Sequence, residues 1–428
     1  MVAPSRFAGV VVLLGSSAWS QDGASLPQAL RVDGTAIQRV AADVVNVAWD
    51  DARVADLRHL ARLSALRRLQ LNPHGEDTKA WQNIDVDAIA ALTALPALEQ
   101  LTVPYCCHLT PAHLQKLAGC PRLADVMVIN EAFVLDADVG RALATWPALR
   151  TLRLSLIRVT PKGLAALAAA PGLEELELAN CRDLDADGFA AVTGLPRLRS
   201  LRLSGLGQPD MLARFNGGDM TPSWALDAAA AKRLAAMTTL RELSLTQSTM
   251  PVAHLLAALP AHLSALTLNS GDLDVAALRD LRRLGELRRL SLSDAYAADK
   301  DAFRTAVADL LGALHLESFV WQGELTPGMR DAIRTQPALR ELAIPCVDDL
   351  AFVKALPKLV RLELAERYEQ QAGGEWVTAV PTAEAVAVLR ASSSLAVVDY
   401  RGTLRADVGA GLRAALGPKI EFLFLQAP

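Results

Sequence analysis

The stretches L149RTLRL154, L173EELEL178 and L198RSLRL203 repeat one pattern, L-x-x-L-x-L, at spacings of 24 and 25 residues. Outward from these three, L66RRLQL71, L98EQLTV103, L123ADVMV128, L240RELSL245, L263SALTL268, L287RRLSL292, L339RELAI344 and L359VRLEL364 match it. Looser copies stand at V44VNVAW49, L316ESFVW321, L395AVVDY400 and I420EFLFL425, making fifteen in all. The last L-x-L of each unit alternates as a half-buried strand does.

A second shared stretch separates the strands, as in LTPAHLQKLAGCPRL, VTPKGLAALAAAPGL and LDADGFAAVTGLPRL. Thr or Asp followed by Pro or Ala is a helix start, because a short oxygen side chain satisfies orphan N–H groups and proline suits the first helical position. Proline then closes the helix just before the next strand. Each unit is therefore strand, loop, helix, loop, and stacking is needed because one unit cannot bury its own apolar face.

Over roughly residues 40–425 the chain resembles the leucine-rich-repeat proteins, specifically the longer cysteine-containing or ribonuclease-inhibitor-like type. The resemblance implies an α/β solenoid, a horseshoe with a parallel β-sheet on the concave face and helices on the convex face. Residues 44–428 then form the repeat domain and 21–43 an N-terminal cap.

Composition narrows the function. The 428 residues are 52% hydrophobic but only 5% aromatic, ample for a core built on Leu, Ala and Val. A net charge of −4, from 43 basic and 47 acidic residues, gives no footing for nucleic acid. No apolar stretch after the first twenty residues is long enough to span a membrane. Residues 1–20 carry one basic residue (Arg6), the apolar run Phe7–Leu14 and small residues ending Ala18-Trp19-Ser20. That is the order of a secretory signal cut after Ser20. The competing reading is the N-terminus of a cytosolic protein, and an odd count of five cysteines argues mildly for it.

The segment P104YCCHLTPAH113 concentrates Cys106, Cys107, His108 and His113. Aligned on L173EELELANCRDLDADGF189, Cys106 falls on Cys181, the repeat position that carries Asn or Cys beside the core, and both should be buried. Cys120 falls on a helix-to-strand filler position, His108 and His113 fall in loop or outer helix, and Cys107 reads as a loop thiol. Adjacent cysteines lack the two-to-four-residue separation of zinc ligands, so no metal is expected. Cys106 and Cys181 lie three repeats apart, about 14 Å at the usual strand spacing, too far to bridge.

Cys346 in P345CVDD349 resembles the Cys-x-Asp nucleophile of bacterial ubiquitin ligases that carry leucine-rich repeats. There the motif belongs to a separate helical domain; here the strand pattern continues past it, so it is read as a rim cysteine, more reactive than the others. No catalytic constellation, cofactor motif or metal motif is found.

Function is therefore sought on surfaces. Concave fifth positions run Gln70, Thr102, Met127, Arg153, Glu177, Arg202, Ser244, Thr267, Ser291, with Arg153, Glu177 and Arg202 on consecutive rungs as either an ion-pair ladder or a recognition stripe. Insertions at 72–85, 204–227, 294–303 and 365–381 leave directly after strands and should project from one rim. They carry Trp81, Phe215, Trp224, Tyr296, Tyr368 and Trp376, aromatic residues of the kind that dominate interfaces. At the end of the chain, Phe422 and Phe424 take concave positions, to be shielded by 365–381 in a monomer. The leading expectation is an exported, non-catalytic scaffold that binds a protein or glycan without a cofactor. A cytosolic interaction protein or secreted effector is the first alternative, and an enzyme with its site in 204–227 the second.

Overall fold

In the computed structural model, residues 30–426 are described except 51, 74–76, 104, 206–227, 249–252, 271–272, 274, 296 and 371–375. Sixteen strands, from Leu30–Asp33 to Glu421–Gln426, form one parallel sheet in which each strand lies beside the one before it in sequence. The fold is an α/β leucine-rich-repeat solenoid. Its first strand, Leu30–Asp33, precedes the fifteen sequence copies and pairs with Asn46–Asp50.

The alternation of the repeat creates the core. In Glu175–Ala179, Leu176 and Leu178 are buried while Glu175 and Glu177 are half-exposed. Leu176 stands in register with Leu152 and Leu201, so the leucines stack in continuous columns from rung to rung. Fully burying each such side chain is worth about 1.5–3 kcal/mol.

The helices start as their caps dictate. The Asp136 carboxylate accepts from Asp138 N and Val139 N, the Asp185 carboxylate accepts from Gly188 N, and Thr160 Oγ1 accepts from Gly163 N. Several units are too short for an α-helix and use a 3-10 turn, among them Val54–Arg62 and Ala351–Ala355.

Three consecutive units turn off the sheet through a left-handed residue at one equivalent position. These are Leu156 (φ 59°), Asn180 (φ 51°) and Gly205 (φ 67°). Their N–H groups donate to Ala179 O, Ser204 O and Thr246 O of the following rungs. Asparagine and glycine accept this conformation readily; a leucine does so at a cost.

The last strand corrects the expected register. Phe422 and Phe424 pair with Val398 and Tyr400, both buried core residues, so the two phenylalanines face the helices rather than the concave side. Leu425 takes the outward position and is 65% exposed. A one-residue shift exchanges the faces of a strand, and here helix Ala406–Leu416 selects the aromatic register. A Cβ on Gly409 would lie 2.1 Å from Phe424 Cζ, so the glycine makes the space for the ring. The Arg413 guanidinium lies 5.3 Å from that ring's centroid. The neighbouring helix therefore packs against Phe424, while the cap expected of 365–381 rests on residues 371–375 and on side chains that lie outside those described.

Candidate functional site

The concave surface is built from the side chains that point away from the leucine columns. Arg153, Glu177 and Arg202 occupy facing positions on three adjacent rungs, as their spacing implies. Arg153 Nη2 lies 3.1 Å from Asp125 Oδ2, and its Nε lies 3.9 Å from Glu177 Oε2. Arg202 reaches Glu175 at 3.9 Å on one side and Glu242 at 3.6 Å on the other, and Arg289 also closes on Glu242. Arg153 and Arg202 are thus each shared between carboxylates of the two neighbouring rungs, and Arg289 spans one intervening rung to reach Glu242.

A second charged sector lies further along the same face. Arg401 Nε contacts Glu363 Oε2 at 3.0 Å, Arg401 Nη2 lies 3.3 Å from Asp399 Oδ2, and Arg361 donates to Asp399. Between the two sectors, half-exposed Thr267, Ser291 and Val320 place uncharged side chains at the central position of three rungs.

Electrostatics follow burial. Burial pushes the Asp125 carboxyl above its ordinary value despite Arg153 beside it, and Glu363 is raised for the same reason against Arg401. The pair in which both partners stay most exposed, Arg202 with Glu175, contributes roughly 0–1 kcal/mol, whereas breaking a pair to the more buried Asp125, Glu363 or Asp399 strands a partly desolvated charge. The exposed part of the ladder is therefore cheap to rearrange: a partner can exchange an internal ion pair there for one across an interface.

The rim insertions divide. Trp81, expected to project, is fully buried: helix Asp77–Gln82 folds back, and the indole Nε1 donates to Ala52 O at 2.7 Å. The short helix gives the indole a backbone acceptor beneath the 3-10 turn Val54–Arg62, and burying so large a ring outweighs exposing it. The 294–303 insertion is also pinned down, with Asp294 buried against Arg304 Nε at 2.7 Å. Within 365–381, strand Tyr368–Gln370 pairs antiparallel with Trp376–Thr378. Phe215, Trp224 and Tyr296 lie outside the described residues, as do the side chains of Tyr368 and Trp376.

The cysteine segment resolves into core. Cys106 and Cys120 are buried. Cys107, read as a loop thiol, is fully buried, and burial pushes its thiol up to about 12. Its carbonyl accepts from Asn130 Nδ2 at 2.7 Å, which ties the turn inward. Cys181 is half-buried; its Sγ lies 3.4 Å from Leu154 O. Cys346, expected to be a reactive rim thiol, is buried too, because its N–H donates to Ala365 O and holds the turn against the next rung.

His113, placed by alignment on the outer helix, is buried. Its Nδ1 accepts from Thr110 N at 3.1 Å and its Nε2 lies 3.0 Å from Ile84 O, so both ring nitrogens are spent on structure. Among the described residues, no group of three or more His, Cys, Asp or Glu side chains is placed to hold a metal ion, and no helix is long and apolar enough to cross a membrane. Sequence reasoning missed Tyr105, which is 55% exposed after strand Gln100–Val103 in the quoted cysteine segment.

Comparison with protein-family models and with curated protein sequences finds no match. Among solved structures the chain is similar to an internalin from Listeria monocytogenes, at 15% identity over 86% of this chain and 83% of that one, with a TM-score of 0.34. That likeness is too distant to bear on what the concave face binds.

Proposed function

We propose that the protein is a non-catalytic scaffold that binds a protein partner across its concave face. The observation that carries the reading is the continuous face of a sixteen-stranded sheet bearing cross-rung ion pairs. Such a face is large and pre-organised, and the pair exposed on both sides, Arg202 with Glu175, can exchange partners at little cost. In this reading Arg153, Glu177 and Arg202 are its central contacts, and Tyr368 and Trp376, from the rim segment 365–381, are proposed as further ones. Phe215, Trp224 and Tyr296 stay on the list of rim contacts, whereas Trp81 leaves it.

In the same reading the units are of the ribonuclease-inhibitor-like type, the chain acts as a monomer, and it is exported after loss of residues 1–20. Intact mass of the protein from its native host tests the last point. A retained N-terminus returns the protein to the cytosolic alternative.

The scaffold reading is tested by a photo-crosslinking amino acid placed at Met127 or Ser244 on the concave face and at Arg334 on a convex helix. Discrete adducts from the concave positions are expected, and Arg153→Glu with Arg202→Glu should abolish them. Equal adducts from Arg334, or adducts indifferent to the charge reversals, would remove the concave face from the proposal.

A further inference from the structure

Among the fifteen sequence copies, the unit that begins at Leu339 is the shortest, reaching the next at Leu359 in 20 residues. It follows strand Glu341–Pro345 with only a 3-10 turn, Ala351–Ala355, whereas the unit before it carries the helix Pro327–Arg334 and the unit after it the hairpin. A short unit between two longer ones leaves a notch at the rim. The notch is a cleft of about 490 Å³.

Its base is apolar: Leu325 is buried, and Pro345 and Val347 are half-buried. Its walls hold four carboxylates, Glu324, Asp348, Asp349 and Glu366, against two guanidiniums, Arg330 and Arg367. Arg330 lies 3.5 Å from Asp349. Glu324 lies 2.8 Å from Arg304, a cation it shares with Asp294 and Asp301. Glu366 accepts from Thr378 Oγ1 at 3.2 Å, and Asp348 is exposed. The walls are therefore left with an excess of negative charge above an apolar base.

We propose that this rim cleft is a docking site for an arginine side chain of the protein partner. Charge complementarity selects a cation, and the apolar base suits the methylene stem of a long basic side chain whose head stays polar. Asp349 already accepts from Ala351 N at 3.0 Å and pairs with Arg330, so exposed Asp348 is the carboxylate offered to the head group, and its two oxygens suit a planar, two-pronged guanidinium better than an ammonium. Its lining includes Pro345, which ends its strand, and Glu366 and Arg367, which directly follow strand Arg361–Ala365, so a flanking residue of a partner lying along the concave face is the proposed occupant.

The inference rests on the scaffold reading but fails separately from it. A fluorescein-labelled alanine peptide with two arginines is titrated with full-length protein by fluorescence anisotropy, beside the same peptide carrying citrulline. At low salt, roughly 50 mM, where screening is weak, the arginine peptide should bind at least about tenfold more tightly than the citrulline one. Asp348→Lys changes an exposed side chain, so folding is preserved; it should reduce arginine-peptide binding by a similar factor, while Asp187→Lys, exposed on helix Ala186–Thr193, leaves it unchanged. Absent binding, equal affinity for the two peptides, or full binding by Asp348→Lys would overturn the cleft assignment. None of those outcomes touches the crosslinking result on the concave face, which judges the scaffold reading alone.

Discussion

Replacing Trp81 separates a core residue from an interface residue. Its side chain is fully buried and its indole N–H is spent on Ala52 O at 2.7 Å. Trp81→Ala removes that bond and leaves a cavity under the 3-10 turn, an expected loss of about 3–5 kcal/mol. Trp81→Phe keeps most of the ring and strands a buried carbonyl, so about 1–3 kcal/mol is expected from the hydrogen bond alone. Urea unfolding followed by circular dichroism reads the total. Repeat arrays lose cooperativity, however, so hydrogen exchange is measured alongside. Faster exchange should concentrate in residues 46–72, where the strands and turn nearest the indole lie. If Trp81→Ala costs less than about 0.5 kcal/mol, the range of an ordinary surface change, the buried placement is refuted. Loss of partner crosslinking at unchanged stability would instead return Trp81 to the interface.

Three further outcomes follow from the geometry. Leu156→Asn should stabilise the protein by up to about 1 kcal/mol, because leucine is strained at positive φ where Asn180 and Gly205 are not; a lower unfolding midpoint would contradict this. All five thiols should resist alkylation in the folded protein near neutral pH and react together in urea, since burial raises Cys107 and Cys181 to about 12 and Cys120 to about 11. Fast native labelling of Cys346 would show that its turn is open. Glu363 has its pKa raised by burial, so the fold prefers its protonated form: its contribution is full below the ordinary glutamate value and is lost as pH rises through the raised one. The stability of Glu363→Gln relative to wild type should therefore grow from about pH 4 to pH 7, and a flat difference would mean that Arg401 and Arg361 fully offset the burial.

The architecture was legible in the chain because its cause is local and repeated. Leu149, Leu152 and Leu154 recur at equivalent places in unit after unit, and each recurrence must bury the same face. The helix starts were equally legible, since Thr160 and Asp185 act on N–H groups only two or three residues away. The concave row followed too: Arg153, Glu177 and Arg202 alternate with buried leucines, and the rung spacing brings them side by side.

What only the tertiary structure decided is where non-repeating residues go. The spacing of Trp81 and Cys346 marks an insertion and a rim turn, yet each is drawn inward by a backbone partner on another unit, Ala52 O for one and Ala365 O for the other. His113 is held in the same way by Ile84 O, 29 residues back. In the last strand, Phe and Leu compete for the same columns, and the gap at Gly409 on the preceding helix awards them to Phe422 and Phe424. The acidic cleft arises from a difference in length between adjacent units, a property of neighbours rather than of any one segment. A repeat pattern encodes contacts between equivalent positions, whereas these contacts join inequivalent ones, and only the packed chain brings them within reach.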